Sequence, residues 1–263
     1  MVVVINETQS RLNTEDLGLW KAAGLPLDDM GFVTSSKKVG ALDDANRTLV
    51  REDMLSNALV WLLAKISNFI AAGENLTVGL EPGSDTSSPI GVSQQTLLQR
   101  WERLNLELQV WHKSLPDTFA PCARVPASRT ELQGQLSQIW YSIPMCASAM
   151  QNYHMAKILL SINKPHESTA RRSTVTARLK SYSLIANTTC YHAREICGIS
   201  LSRLEGSAQV HSLQPLFVAG QCFTEPQERA LVLDLLREIE SERGCATEFR
   251  VKQLLKEWNW EDT

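Results

Sequence analysis

Apolar residues recur at three- and four-residue steps along most of the chain, which is the spacing of one face of an α-helix. The clearest stripe comprises Leu55, Ala58, Leu59, Leu62, Ile66, Phe69 and Ile70. It predicts a helix that ends near Gly73, because glycine readily adopts the left-handed conformation that caps helices. A second stripe follows a candidate cap at Ser93 and comprises Leu97, Trp101, Leu104, Leu108 and Trp111. The two stripes predict a pair of long amphipathic helices.

The segments beside these two helices lack such a stripe. Residues 74–92 contain Pro82-Gly83 and a run of Ser, Asp and Thr, a composition typical of loops, so we expect a flexible loop there. Residues 1–46 mix short apolar pieces with breakers at Pro26 and Gly31. They predict an N-terminal segment of irregular structure and short helices that packs on the core. The main helical domain then covers residues 47–263.

The middle of the chain predicts a bent helix. A capping box, in which a Ser or Thr is followed three residues later by a Glu, occurs at Ser128 and Glu131. The apolar residues that follow it are Leu132, Leu136, Ile139, Trp140 and Ile143. Because Pro144 interrupts helical hydrogen bonding, we expect a break there and a second segment that ends near Pro165.

Four further helices are predicted after Pro165. One covers residues 173–199 and another covers residues 213–223. The third opens with a capping box at Thr224 and Gln227 and stops at Gly244, and the fourth is capped by Thr247. No segment shows the alternation of apolar and polar residues that is typical of a β-strand. The predicted fold is therefore all-α, a single multi-helix domain of about seven to nine packed helices without a significant sheet.

Composition and charge agree with a globular protein and exclude several partners. Hydrophobic residues make up 43% of the chain and charged residues 21%, which is ordinary for globular domains. The net charge is −3, and the basic doublets Lys37-Lys38 and Arg171-Arg172 form no stripe, so we expect no direct binding of nucleic acid. The longest apolar run, residues 58–64, is shorter than the roughly 20 residues that span a bilayer, so we expect no membrane partner.

Motifs for catalysis are missing or incomplete. The chain has no GxGxxG, GxxxxGK[ST] or GxSxG sequence. An all-helical magnesium-diphosphate enzyme needs paired aspartates with a further carboxylate at helical spacing, which Asp28-Asp29 and Asp43-Asp44 lack. Two SxxK matches, which begin at Ser35 and Ser161, lack the accompanying hydroxyl and lysine motifs. We therefore predict that the chain is not an enzyme and has no catalytic or cofactor-binding residue.

The cysteines, histidines and isolated polar residues predict no metal site. The six cysteines contain no CxxC pair and no two histidines form HExxH, so we expect reduced, mostly buried thiols. Four polar residues interrupt apolar stripes: His154, Lys157, Arg194 and Glu195. Because buried polar groups are nearly always hydrogen-bonded, we expect each of them at the surface or in a satisfied interior pair.

Several short stretches occur in a fixed order along most of the chain. They are residues 19–25 (LWKAAGL), 58–65 (ALVWLLAK), 101–104 (WERL), 111–116 (WHKSLP), 153–160 (YHMAKILL), 193–198 (AREICG), 216–221 (LFVAGQ), 228–229 (ER) and 251–258 (VKQLLKEW). In this order they resemble the regulatory half of fungal transcription factors of the zinc binuclear cluster class. In that family a separate N-terminal module reads DNA through six cysteines that hold two zinc ions.

The resemblance implies a nuclear regulatory domain that is either the C-terminal part of a longer factor or a regulator without its own DNA reader. The six cysteines of this chain are widely spread, so they do not carry over as zinc ligands, and zinc belongs only to the missing module. The implied function is control of RNA polymerase II transcription through helix surfaces or a pocket. The implied partners are the transcriptional machinery or co-regulators, with a homodimer and a small-molecule effector as further candidates. Two alternatives stay open: a helical interaction scaffold unrelated to transcription, and an all-helical enzyme.

Overall fold

Helices dominate the structure, a computed structural model that describes residues 44–77, 90–126, 136–165, 175–202, 204 and 206–260. The α-helices in these ranges are α1 (Asp44–Thr77), α2 (Ile90–Lys113), α3 (Pro144–Ile162), α4 (Val175–Leu201), α5 (Ser207–His211), α6 (Leu213–Cys222), α7 (Pro226–Arg243) and α8 (Glu248–Glu257). A 3₁₀ turn (Asp117–Phe119) and two short strands, β1 (Ala123–Pro126) and β2 (Ser137–Trp140), complete them. The predicted helical fold class is confirmed.

The contacts of the chain fall into two compact units, whereas the sequence pattern predicted a single domain. The first unit contains residues 1–115 and 163–175, and the second contains residues 116–162 and 176–263. Helices α1 and α2 lie in the first unit, whose described part also includes residues 114–115, 163–165 and Val175. The remaining elements belong to the second unit. Residues 1–43, for which we predicted an irregular N-terminal segment, lie outside the described residues.

In the first unit, α1 and α2 pack through the two apolar stripes. The fully or almost fully buried side chains of these helices include Ala58, Leu59, Trp61, Leu62, Ile66, Leu104, Leu108 and Trp111. The indole Nε1 of Trp111 donates a hydrogen bond to the carbonyl oxygen of Leu55, at 2.9 Å. The buried carboxylate of Glu107 accepts from Lys65 on α1 at 2.9 Å and from Arg103 on its own helix at 3.0 Å. The apolar stripes bring α1 and α2 together, and these polar contacts fix the position of one helix along the other.

Both helices are longer than predicted. Helix α1 continues past Gly73 to Thr77, and α2 begins at Ile90, three residues before Ser93. A glycine inside a helix costs about 1 kcal/mol relative to alanine, which is too little to end a long packed helix. The predicted loop at residues 74–92 is therefore wrong at both ends, and residues 78–89 lie outside the described residues.

The segment Glu52–Ala71 of α1 is long and apolar enough to cross a membrane by length and composition alone. The longest uninterrupted apolar run, residues 58–64, predicts no such span. Much of the segment is buried against protein, including Leu59, Trp61 and Leu62, and Lys65 within it pairs with Glu107. Because a helix in a protein core passes the same test, the absence of a membrane partner stays a prediction.

In the second unit, close helix contacts depend on small residues. A side chain on Gly220 of α6 would place its Cβ 2.9 Å from Leu254 of α8 and 3.2 Å from Val232 of α7. A Cβ on Gly198 of α4 would collide with the carbonyl oxygen of Ser137 on β2. These two glycines therefore set how closely α6 approaches α7 and α8, and how closely α4 approaches the hairpin.

The predicted bent helix before Pro144 is wrong. Ser137–Trp140 forms β2, which pairs antiparallel with β1 so that Ala123 lies opposite Trp140 and Pro126 opposite Ser137. Trp140 is 41% exposed rather than in the core. Pro144 begins α3 instead of breaking a helix, because the first helical position does not need the N–H that proline lacks. The Ser128 and Glu131 pair lies outside the described residues.

The helix ends near the C-terminus agree only in part with the sequence signals. Gly244 caps α7 in the left-handed conformation, with φ 68°, as predicted. The Thr224 and Gln227 capping box does not form, because Glu225 occupies the cap position and makes no side-chain cap bond. Thr247 does precede α8, but its hydroxyl donates to the carbonyl of Leu236 and to Glu240 instead of capping.

Candidate functional site: a buried polar cluster around helix α4

Helix α4 changes character along its length. From Thr189 to Leu201 its side chains are mostly buried, and Ala193, Ile196, Cys197 and Ile199 have no exposed surface. The same stretch also buries His192 and Glu195. A buried charge or imidazole needs a partner, because transfer out of water without one is costly. The partners of these two residues define the polar cluster, which consists of Arg124, His154, His192 and Glu195.

Glu195 is bound by an arginine from the hairpin. The Arg124 guanidinium, on β1, donates two hydrogen bonds to the two carboxylate oxygens of Glu195, at 2.8 and 2.7 Å. This is the bidentate geometry in which arginine recognises carboxylates most strongly. The side chain of Glu195 is 10% exposed and that of Arg124 is 47% exposed. The hydrogen bond to Glu195 raises the pKa of Arg124, so the arginine stays charged at neutral pH.

Two histidines meet beside this ion pair. The Nδ1 atoms of His154, on α3, and of His192 lie 2.8 Å apart, and both rings are buried. A hydrogen bond between two Nδ1 atoms requires that one carries the proton and the other offers its lone pair. The pair therefore carries at most one positive charge while the bond is intact.

Glu195 connects the histidines to the arginine. Its Oε2 atom lies 3.9 Å from Nε2 of His154, which is too long for a hydrogen bond but close enough for attraction between charges. Tyr141 lies near the same carboxylate, and its pKa is raised by burial and then by the charge of Glu195.

A second ion pair joins α4 to α7. Nε of Arg194 donates to Oε1 of Glu228 at 2.6 Å, and the Glu228 side chain is only 2% exposed. The hydrogen bond to Glu228 raises the pKa of Arg194. Together with the Arg124 pair, this bond ties α4 to two different elements of the second unit.

A polar network continues toward the C-terminal end of α4. The Gln151 amide nitrogen donates to the Ser200 hydroxyl at 2.7 Å, and the Ser212 hydroxyl donates to the Gln151 oxygen at 2.8 Å. Beside Ser200 and Ser212 lies a cavity of about 20 Å³, which Gln209, Leu216, Leu235 and Ile239 also line. A volume of this size holds about one water molecule. This cavity is therefore too small for the predicted effector.

The six thiols are free, but they are less buried than predicted. Cys146 and Cys197 are buried, Cys122 is exposed, and the other three are intermediate. Sγ of Cys190 donates to the carbonyl of Cys222 at 3.4 Å. Burial raises the pKa of Cys222 to about 12, so this thiol stays protonated and a poor nucleophile at neutral pH. Within the described residues, no group of three or more His, Cys, Asp and Glu is placed to hold a metal ion.

The structure places three of the four isolated polar residues in interior pairs. His154, Arg194 and Glu195 are bonded as described above, and burial lowers the pKa of the half-buried Lys157. Sequence reasoning missed His192 and Arg124. His192 could have been found by its three-residue spacing from Glu195 on one helix. Arg124, 71 residues from Glu195 in the chain, carried no local signal.

The other catalytic candidates are accounted for or lie outside the described residues. Ser161 donates to the backbone carbonyl of Lys157 at 2.7 Å. Lys164, the lysine of the same SxxK match, lies over the Trp101 ring at 5.2 Å from its centre. Ser35, Asp28-Asp29 and Asp43 lie outside the described residues, and Asp44 is the first residue of α1. The contacts of Ser161 and Lys164 are thus structural.

Comparison with known proteins finds one informative similarity. The chain is 41% identical over 267 aligned residues, or 98% of its length, to "Transcription activator AMTR1" of Alternaria alternata. The match covers 34% of that protein, so the chain spans about a third of its relative's length. No family model matches the chain, and no solved structure matches it. The chain is therefore similar, over both of its compact units, to one part of a fungal transcription activator.

Proposed function

We propose that this chain is the regulatory domain of a fungal transcription factor and controls transcription by RNA polymerase II. The observation that carries the proposal is the 41% identity to a transcription activator over 98% of the chain. Identity over nearly the whole length supports a shared helical fold and a shared role, since both compact units are included in the match.

The polar contacts of α4 support a role without catalysis. Each charged side chain in the second half of the helix binds another element: Glu195 binds Arg124, and Arg194 binds Glu228. The buried His154 binds His192. Groups that are committed to one another in this way position helices rather than substrates. We therefore propose that the chain is not an enzyme.

Helix surfaces are the favoured means of regulation. The cavity between α4, α5, α6 and α7 has room for about one water molecule. It is too small for an effector, so we favour regulation through helix surfaces. The proposed partners are co-regulators or the transcriptional machinery in the nucleus. No cofactor is assigned to this chain, and zinc belongs to a separate DNA-binding module. A homodimer and a small-molecule effector stay predictions.

A reporter experiment tests the proposal. Residues 1–263 are fused to a heterologous DNA-binding module and expressed in a filamentous fungus with a matching reporter gene. We expect the fusion to change reporter transcription several-fold relative to the DNA-binding module alone. Transcription equal to that control in both an activation and a repression format, with the fusion present in nuclei, would contradict the proposal and favour a scaffold unrelated to transcription.

A further inference from the structure

Two buried histidines connect different helices of the second unit. His154 is on α3 and His192 is on α4, and their Nδ1 atoms lie 2.8 Å apart. We call this hydrogen bond the histidine contact. Histidine is the side chain whose ordinary pKa places its change of charge between pH 5 and 8. A connection made by two imidazoles is therefore exposed to pH changes that leave most other polar contacts unaltered.

The short distance limits how many protons the two rings hold. In the uncharged pair, one Nδ1 donates its proton and the other accepts it with its lone pair. A proton added at Nε2 of the donating ring leaves this bond intact and makes it charge-assisted. A second added proton has only the accepting Nδ1 to bind, and two N–H groups would then face each other across 2.8 Å. The second proton therefore breaks the contact.

The unfolded chain has no such limit. The ordinary pKa of histidine is about 6.5, so at pH 5 both imidazoles of the unfolded chain bind an added proton. The folded chain with its histidine contact intact binds at most one. Each proton that only the unfolded chain binds raises the unfolding constant about tenfold for each unit by which the pH falls. The stability that the contact provides is thus present at neutral pH and is lost in acid.

Tyrosine rings pack against the two imidazoles. Tyr153, on α3, meets both of them edge-on, with its ring centre 5.3 Å from that of His154 and 6.4 Å from that of His192. Tyr191, on α4, meets His192 edge-on at 5.1 Å. Burial raises the pKa of Tyr153 and of Tyr191, so both tyrosines stay uncharged at neutral and acid pH.

The other titratable groups beside the contact come from three elements. Oε2 of Glu195, on α4, lies 3.9 Å from Nε2 of His154, and Arg124 of β1 binds the same carboxylate. Lys157 lies one turn beyond His154 on α3, and burial lowers its pKa. Tyr141 lies near Glu195, and burial raises its pKa. The ordinary pKa values of Glu, Arg, Lys and Tyr all lie outside the range from 5 to 8, in which histidine titrates.

A neighbouring contact between the same helices does not titrate. The Gln151 amide of α3 donates to the Ser200 hydroxyl of α4 at 2.7 Å, and neither group ionises in this pH range. It continues to join α3 to α4 when the histidine contact breaks. The opening is therefore confined to the part of the helix pair around the two imidazoles.

We propose that the histidine contact is a pH-sensitive switch between α3 and α4, which is closed at neutral pH and opens when a second added proton binds between about pH 7 and pH 5. In the opening step the accepting Nδ1 takes one proton from solvent, and the N–H···N hydrogen bond is lost. The two imidazolium rings then repel each other, and α4 moves away from α3 at this point.

Asparagine is the matched replacement for either histidine, because its amide group takes the place of Nδ1 in a hydrogen bond and does not titrate. His154→Asn and His192→Asn each leave one imidazole, and the double variant removes both. His211→Gln, at an exposed histidine of α5, is the control. Circular dichroism at pH 7.5 establishes that each protein is folded.

Urea unfolding at pH 7.5 and at pH 5 gives the unfolding constant of each protein, and the double variant measures the acid dependence of all other groups. Between these pH values we expect the constant of the unaltered chain to rise at least about fivefold more than that of the double variant. His211→Gln should keep this excess. Each single asparagine variant should lose most of it, because the remaining imidazole binds its proton while donating to the asparagine.

Two results of this experiment would overturn the proposal. An unaltered chain whose constant rises no more than that of the double variant shows that the contact does not respond to pH. Single variants that each keep about half of the excess show that the two histidines act independently, through burial alone, since independent sites are additive.

Nuclear magnetic resonance of the imidazole nitrogens tests the opening in the unaltered chain, without any variant. We expect one unprotonated Nδ1 in the pair at pH 7.5, and protons on both nitrogens of both rings in the folded chain at pH 5. An Nδ1 that stays unprotonated at pH 5 would contradict the switch. All of these measurements use the purified chain, so their outcome is independent of its role in transcription.

Discussion

Arg124 on β1 and Glu195 on α4 form two parallel hydrogen bonds of 2.8 and 2.7 Å across 71 residues of sequence. The same carboxylate lies 3.9 Å from the ring of His154. One buried acid therefore links the hairpin to α4 and lies within Coulomb range of α3. Its partners explain how a charged side chain is accommodated among the buried residues of α4.

Removing the arginine should destabilise the protein. Arg124→Gln leaves the Glu195 carboxylate buried without its ion pair, and we expect a loss of about 1–3 kcal/mol in unfolding free energy, since Arg124 itself is half exposed. Arg124→Lys should lose less, because lysine keeps the charge but not the two-pronged geometry. Urea unfolding measures both. Arg237→Gln, at an exposed arginine of α7, is the control, and equal midpoints for Arg124→Gln and this control would show that the pair does not contribute.

Replacing Trp111 should destabilise the protein more than replacing Trp140. The buried Trp111 donates to the carbonyl of Leu55 at 2.9 Å, whereas Trp140 is 41% exposed on β2. Trp111→Phe loses a hydrogen bond and part of the packing between α1 and α2, so we expect at least about 1 kcal/mol of destabilisation. Trp140→Phe should stay within about 0.5 kcal/mol of the unaltered protein. Thermal unfolding followed by circular dichroism measures the stability of both variants. A loss for Trp140→Phe as large as that for Trp111→Phe would contradict this prediction.

The hydrogen bonds from Thr247 to Glu240 should make the stability of the protein decrease as the pH falls into the acid range. The hydroxyl and backbone N–H of Thr247 donate to Oε2 of Glu240 at 2.7 and 3.2 Å, and the hydrogen bonds lower the pKa of Glu240. A carboxyl group with a lowered folded-state pKa stabilises the protein above its unfolded value, and that stability is lost as the pH falls through the folded value. Thr247→Val should therefore weaken the protein at pH 7 and flatten this acid dependence, whereas Thr247→Ser should retain it. Identical acid profiles for both variants would contradict the assignment.

The thiols should differ in reactivity by exposure and burial. Burial raises the pKa of Cys222 to about 12, and only the thiolate is alkylated rapidly. In the native protein at pH 8, we expect iodoacetamide to label the exposed Cys122 to completion while Cys222 and the buried Cys197 stay unmodified. Mass spectrometry of digested samples gives the rate at each site. Labelling of Cys222 as fast as that of Cys122 would show that the surrounding residues do not shield this thiol.

The helices could be predicted from the sequence because their signals are local. Steps of three and four place Leu104, Leu108 and Trp111 on one face, and Gly244 marks a helix end through its own conformation. The β-hairpin could not be predicted in this way. Leu136 and Ile139 are three residues apart, which is the spacing of a helix face, and only pairing with Ala123–Pro126 selects the strand.

The buried polar contacts of α4 could be predicted only in part for the same reason. His154, Arg194 and Glu195 stood out because each interrupts an apolar stripe. Their partners come from other elements, and nothing in the local sequence indicates that Arg124 reaches Glu195 or that Glu228 reaches Arg194. Pairing across long sequence separations depends on the packed helices, so the residue types were predictable and their connections were not.

The most direct test of the regulatory role is an exchange within the Alternaria alternata activator. This chain replaces the aligned third of that protein, and transcripts of the activator's target genes are counted in a strain that lacks the native copy. We predict that the exchanged protein restores most of the transcription that deletion of the same third removes. Transcript levels equal to those of the deletion, with the exchanged protein present at normal abundance in nuclei, would contradict the account.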